Sequence, residues 1–137
     1  MHLSFSRWVD QIATLCQPKA IHFCDGSQEE YDRIAAQMVA AKTLTPLKKR
    51  PGSYWCRSHP DDVARVEECT FICSKEKGEA GPTNNWRAPH EMHAHLKTLF
   101  EGCMRGRTLY VVPYCMGPLG SPHARLGVEL TDPPYVA

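Results

Sequence analysis

FEGCMRGRTLYVVPYCMGPLGSPHARLGVELTDPPYV, residues 100–136, decides how the rest of the chain is read. Thr108 to Pro113 is a nearly continuous apolar run, the pattern of a strand buried on both faces. Leu126, Val128 and Leu130 alternate with Gly127, Glu129 and Thr131, as in a strand with one wet face. The Met116-Gly-Pro-Leu-Gly-Ser-Pro segment between them turns the chain from one strand to the next. It could be mistaken for a phosphate loop, since Gly-rich turns can aim backbone N–H groups at anions. It has no Gly-Lys-Ser/Thr ending, and Pro118 and Pro122 remove two backbone donors, so it is read as a structural corner. Nothing strand-like follows Thr131. The second strand is therefore expected to carry an open edge and an unfilled apolar face, and the chain alone to be poorly soluble or dynamic.

Upstream, helical and strand periods alternate. Phe5, Trp8, Val9, Ile12, Leu15 and Cys16 recur at helical spacing, which predicts an amphipathic helix over 4–16 ended before Pro18. Ala20 to Cys24 reads as a short buried strand. Asp25-Gly26-Ser27 breaks it, and Ser27 with Glu30 forms a capping box for a helix with Tyr31, Ile34, Ala35 and Met38 on one face, fading near Thr43 to Pro46. Residues 47–52, LKKRPG, are a basic turn-rich connector. Tyr54 to Cys56 is a short strand, and Ser58-His-Pro-Asp starts a brief helix over 60–68 with Pro60 in its first turn. Thr70 to Cys73 is β-rich, and residues 74–86, SKEKGEAGPTNNW, are expected to be the least ordered loop. From Pro89, a helix places Met92, Leu96, Leu99, Phe100 and Cys103 on one buried stripe, ended by Gly102 or Gly106. The fold class is α/β, a mixed sheet with flanking helices.

Composition narrows the function classes. With 137 residues, 42% hydrophobic and 23% charged, the chain can bury one domain's core. Sixteen basic and fifteen acidic residues are mixed along it, for a formal charge of +1, which argues against an electrostatic nucleic-acid binder. No apolar run reaches membrane-spanning length, and MHLSFSRWVDQ has the build of neither a secretory signal nor a transit peptide. Seven cysteines, an odd number without a Cys-x-x-Cys pair, read as core thiols and fit a reducing compartment, with cytoplasm the expectation and a mitochondrial form compatible with it.

Few side chains stand out locally. His90, His93 and His95 could share a metal from one helix, but no acidic or thiol partner sits at a matching position, so a solvated histidine-rich face is the simpler reading. A zinc-binding protein would bind through His90 and His93. Cys69 and Cys73 are read as core thiols, and no Cys/His spacing suggests a nucleophile. Arg65 is the residue singled out, because a planar guanidinium can grip a carboxylate through two parallel hydrogen bonds where a lysine cannot. Its local alternative is a helix-surface pair with Asp61 or Asp62. Glu67, Arg105 and Arg107 have ordinary local explanations, the two arginines standing just past a helix C-terminus.

Read as a set, four segments closely resemble the N-terminal part of the GTP-dependent phosphoenolpyruvate carboxykinase family. They are LCQPKAIHFCDGSQEEY (15–31), DDVARVE (61–67), GPTNNW (81–86) and residues 102–136. The resemblance covers nearly the whole chain in order. It implies an α/β N-terminal, substrate-binding domain of an enzyme that converts oxaloacetate and GTP into phosphoenolpyruvate, carbon dioxide and GDP. That enzyme is a lyase of gluconeogenesis with Mn²⁺ at its active centre. It implies that Arg65, on the family's substrate-binding arginine, holds the carboxylate of oxaloacetate or phosphoenolpyruvate, and that Glu67 stands behind it near the family's mobile lid.

The same resemblance places the GTP loop, the manganese ligands, the guanine pocket and the nucleotide-binding C-terminal domain downstream of this segment. No catalytic, cofactor-binding or metal-ligating residue is therefore expected within 1–137, and the segment alone is expected to be inactive. The parent is expected to be a monomer with neither nucleic-acid nor membrane partners. A different class of protein, a stand-alone carboxylate-binding or regulatory module that keeps the N-terminal fold without catalysis, is separated from the enzyme by the reading frame past Ala137.

Overall fold

The computed structural model describes residues 3–57, 59–61 and 66–137. In chain order the helices are α1 (Leu3–Cys16), α2 (Gln28–Ala40) and α3 (Pro89–Phe100). The strands are β1 (Ala20–Phe23), β2 (Leu44–Pro46), β3 (Tyr54–Cys56), β4 (Phe71–Ile72), β5 (Asn85–Trp86), β6 (Thr108–Met116) and β7 (Arg125–Thr131). Among the described residues the principal sheet has the order β1-β6-β7, with β1 parallel to β6 and β7 antiparallel to it. Two small ladders, β2 with β3 and β4 with β5, complete the mixed α/β architecture.

The consecutive apolar residues of β6 are explained by two separate cores. Side chains alternate across a strand, so Leu109 and Val111 point to one face and Tyr110 to the other. Leu109 and Val111 pack with Val9 of α1, flanked by Phe5, Ala13, Met104, Val128 and Leu130. Tyr110 packs with Ile34, Ala35 and Met38 of α2 and with Leu44. Leu109 is 0% exposed, and Val9 and Val111 are each 1% exposed. The central strand is thus dry on both faces over 109–111, whereas Thr108 and Val112, in the run read as buried, are part-buried and Pro113 is exposed.

Local chemistry sets how the chain enters this sheet. α1 ends with Gln17 at φ 54, its N–H bonded to Ala13, and Pro18 prevents a further turn. Lys19 N–H then donates to the Arg107 carbonyl and Cys24 N–H to that of Val111, holding β1 alongside β6 from both ends. Gly102 and Met104 N–H groups donate to Leu15 and Cys16, tying the turn after α3 to the end of α1. The corner over 116–122 joins β6 to β7, with Met116 paired to Arg125.

Several sequence expectations need correction. β1 is not buried: Ile21 and Phe23 are 41% and 45% exposed. The α3 stripe is apolar but open, with Leu96, Leu99 and Phe100 at 39%, 59% and 47% exposure, because α1 is the element near it. Tyr31 faces solvent rather than the α2 core, and on β7 Leu126 is exposed while Val128 and Leu130 pack inward. Of the seven free thiols only Cys16 is buried, and Cys69 and Cys73 are exposed.

The remaining corrections concern short elements. Residues 44–46, read as a fading helix end, are a strand whose hairpin with β3 is closed by the basic connector. In the expected helix over 60–68, Ser58 and 62–65 lie outside the described residues, and Glu67–Cys69 is a single 3₁₀ turn. The 74–86 loop is locally built: Lys77–Ala80 is a 3₁₀ turn with a reciprocal Glu76/Glu79 capping box, and β5 pairs with β4.

Candidate functional site

Arg65, with Asp62, Val63 and Ala64, lies outside the described residues. What the structure gives is the support immediately after it. The Val66 carbonyl accepts from the Thr70 hydroxyl at 2.7 Å and from Cys69 N–H at 3.1 Å, closing a tight turn. The Asn85 side-chain amide donates to the carbonyls of both Glu67, at 3.0 Å, and Thr70, at 3.2 Å. An asparagine at this position clamps the two ends of the turn, since its NH₂ carries two donors. Trp86 is fixed in the same way, its indole N–H reaching the Ser74 carbonyl and hydroxyl at 3.1 Å. Arg87 lies 5.2 Å over the Phe71 ring, a cation–π contact that steadies the β4/β5 pair.

The DDVARVE and GPTNNW segments, far apart in sequence, are thus joined. The structure brings Glu67 next to Asn85 through its backbone. Its side chain is exposed, and among the described residues it makes no ion pair. Asn85 is the residue bracing this turn that sequence reading missed. The signal was available in the repeated Asn of GPTNNW, because an amide in a loop commonly replaces absent ladder hydrogen bonds.

A second cluster sits where β1 meets α2. Ser27 caps α2 by accepting from Glu30 N–H, but Glu30 does not return the bond to Ser27, so the capping box is only half formed. Ser27 N–H instead donates to the Asp25 carboxylate. Glu30 Oε2 accepts from Asp25 N–H at 2.9 Å and Gly26 N–H at 2.8 Å, and Oε1 faces His22 Nε2 at 2.5 Å. Glu30 is 8% exposed, the one charged residue buried among those described. Burial pushes its carboxyl up, but hydrogen bonds from Gly26, His22 and Asp25 outweigh this and leave it below the usual carboxylate value. His22 also packs edge-on against Tyr110, ring centroids 5.8 Å apart.

The other candidates resolve as structure. Arg105 donates through Nε to Gln17 at 2.7 Å, and Arg107 pairs with Asp132 at 2.5 Å, so both tie the turn after α3 to neighbouring segments. His90, His93 and His95 are exposed on α3.

A two-faced mixed sheet with flanking helices and a separately braced turn over 66–70 defines a mixed α/β domain. The chain belongs to the phosphoenolpyruvate carboxykinase family, whose N-terminal domain model matches residues 7–137. It is 53% identical over 137 residues to "Phosphoenolpyruvate carboxykinase [GTP]" of Chlamydia muridarum, covering 98% of this chain and 23% of that protein. It is 54% identical over 132 residues to the protein of the same name from Anaeromyxobacter dehalogenans, covering 95% of this chain and 22% of the relative. The corresponding Corynebacterium kroppenstedtii protein is 56% identical over 131 residues, with 94% and 21% covered. The chain spans under a quarter of the length of these relatives.

Proposed function

We propose that this chain is the substrate-side N-terminal domain of a GTP-dependent phosphoenolpyruvate carboxykinase, a carboxy-lyase acting on oxaloacetate. The observation that carries the reading is the family match over 7–137; Arg65 closes the Asp-Val-Ala-Arg segment of this chain, residues 62–65. In this reading Arg65 grips a substrate carboxylate through two parallel hydrogen bonds and orients it; it exchanges no proton. The turn clamped by Asn85 restricts the arginine's approach, and Glu67 stands behind it. Oxaloacetate loses carbon dioxide to form an enolate, which takes a phosphoryl group from GTP.

The described residues do not suit the manganese ion of that chemistry. Their one cluster of metal-ligand types, His22, Cys24 and Glu30, includes a thiol, a soft donor, whereas Mn²⁺ favours carboxylate, carbonyl and water oxygens. In this reading metal and nucleotide are held by the remainder of the enzyme, and the chain of 137 residues alone turns over no substrate.

The test is Arg65→Ala in the complete enzyme. Loss of a charged bidentate contact, about 3 kcal/mol, lowers kcat/KM for oxaloacetate by roughly 10²-fold. Nucleotide affinity stays as it was. Kinetics equal to those of the parent would return Arg65 to a surface ion pair.

A further inference from the structure

The His22, Cys24 and Glu30 ligand atoms lie within 4.8 Å of one another. Strand alternation places His22 and Cys24 on the same side of the chain at the end of β1, and the first turn of α2 brings Glu30 over them. We propose that these three side chains form a zinc site, with His22 Nε2, Cys24 Sγ and Glu30 Oε1 as ligands and water in the fourth position, clipping the end of β1 to the start of α2.

The clustering of the three ligand atoms is what points to a cation, and the hydrogen bonding around His22 leaves room for one, since Arg33 Nη2 is also 3.9 Å from Glu30 Oε1. Nε2 faces Glu30 Oε1 at 2.5 Å and Arg33 Nη2 at 3.1 Å. With a proton on Nε2 the bond to Glu30 is sound, but Arg33 then meets a donor. Without that proton Arg33 has an acceptor, but two lone pairs oppose each other at 2.5 Å. Neither tautomer satisfies both contacts. A divalent cation between Nε2 and Oε1 uses both lone pairs at once.

The surroundings are already set for it. Oε2 of Glu30 is held by two backbone N–H groups, which fixes the carboxylate and leaves Oε1 to coordinate, the support that ligating carboxylates generally have. Tyr110 braces the imidazole ring, and Cys24 N–H is anchored on Val111. Zinc bonds of about 2.0–2.3 Å require Nε2 and Oε1 to separate by about 1 Å, a movement open to the part-exposed His22 ring. Arg33, its side chain 46% exposed, can turn into solvent. A thiolate, an imidazole and a carboxylate together select Zn²⁺ over Mn²⁺ or Mg²⁺. Burial, with the Glu30 and Asp25 carboxylates nearby, raises the Cys24 pKa, so the metal displaces a proton on binding.

The experiment is a titration of the reduced 137-residue chain with Co²⁺ as a spectroscopic substitute, followed by displacement with Zn²⁺. One Co²⁺ per chain with a sulfur-to-cobalt charge-transfer band is expected. The band disappears in Cys24→Ser and is unchanged in Cys73→Ser, and His22→Gln weakens affinity by more than roughly tenfold. In the unsubstituted chain, Zn²⁺ should shield Cys24 but not Cys73 from alkylation, read by peptide mass spectrometry, so the outcome does not depend on any variant folding. Equal alkylation of Cys24 with and without Zn²⁺ overturns the site. So does binding that survives Cys24→Ser and is lost only when His90 and His93 are replaced.

Discussion

Replacing Glu30 with alanine probes the junction on which β1 and α2 depend. The carboxylate accepts from Gly26 N–H at 2.8 Å, Asp25 N–H at 2.9 Å and His22 at 2.5 Å, while being 8% exposed. Hydrogen bonds to a charged group are each worth about 1.5–3 kcal/mol net, but Asp25 and Gly26 are exposed, so their freed N–H groups turn to water and most of the orphan penalty vanishes. Loss of negative charge in the first turn of α2 adds about 0.3–1 kcal/mol, and alanine's better helix propensity offsets a similar amount. The expected destabilisation at neutral pH is about 2–3 kcal/mol, with Glu30→Gln intermediate. Urea unfolding followed by tryptophan fluorescence and circular dichroism, in chelator to remove any metal contribution, measures it.

The sign of the pH dependence follows from the same contacts. The folded carboxyl lies below its ordinary value of 4.5, so its contribution is complete above that value and is lost as pH falls through the folded pKa. His22, Cys24, Asp25 and Arg33 face the same carboxylate, so the comparison is wild type against Glu30→Ala at each pH. The gap should hold from neutral pH down to about 6 and narrow in the acid range. A gap below about 0.5 kcal/mol at pH 7, or one unchanged through the acid range, refutes the assignment of this stability to the Glu30 contacts.

Other outcomes follow from the cores and the family reading. Leu109→Ala, at a site with 0% exposure between α1 and β6, should cost about 2–5 kcal/mol by urea titration, whereas Leu126→Ala, at an 80% exposed site, should change stability by less than about 0.5 kcal/mol. Gly102→Ala should cost about 1–2 kcal/mol, because φ is +67° and the new Cβ would lie 2.7 Å from the Arg105 guanidinium that Gln17 holds; a neutral result would mean the turn relaxes freely. Purified 1–137 should form no phosphoenolpyruvate from oxaloacetate and GTP in a coupled assay, and turnover by a clean preparation would contradict the proposed division of the enzyme.

The long periodic elements were legible, as were the short β-rich runs that became β1, β3 and β4, while β2 and β5 were not. α1, α2, β6 and β7 repeat their apolar period over enough residues for 3.6 and 2.0 to be told apart. β2 contains Pro46 and spans three residues, and β5 spans two, too few for any period to register. Burial failed for a different reason. Periodicity reports that the α3 face and the β1 side chains are apolar, not what lies against them, and among the described residues little does. The motif around Arg65 was legible as a resemblance. Its brace was not, because the Asn85 clamp joins residues 15 and 18 positions apart with no local signature. The Ser27/Glu30 spacing was visible and misassigned: a capping box specifies the spacing, but here a nearby histidine and two earlier N–H groups captured the glutamate.

The measurement that bears most directly on the proposed role is steady-state kinetics of Arg65→Ala and Arg65→Lys in the complete enzyme, with oxaloacetate and GTP varied separately. Alanine should lower kcat/KM for oxaloacetate by roughly 10²-fold, and lysine should restore only part of it because a point charge cannot replace the two-pronged grip. The GTP dependence should be unchanged. Full activity in both variants, or an effect confined to GTP, would contradict a carboxylate-holding Arg65.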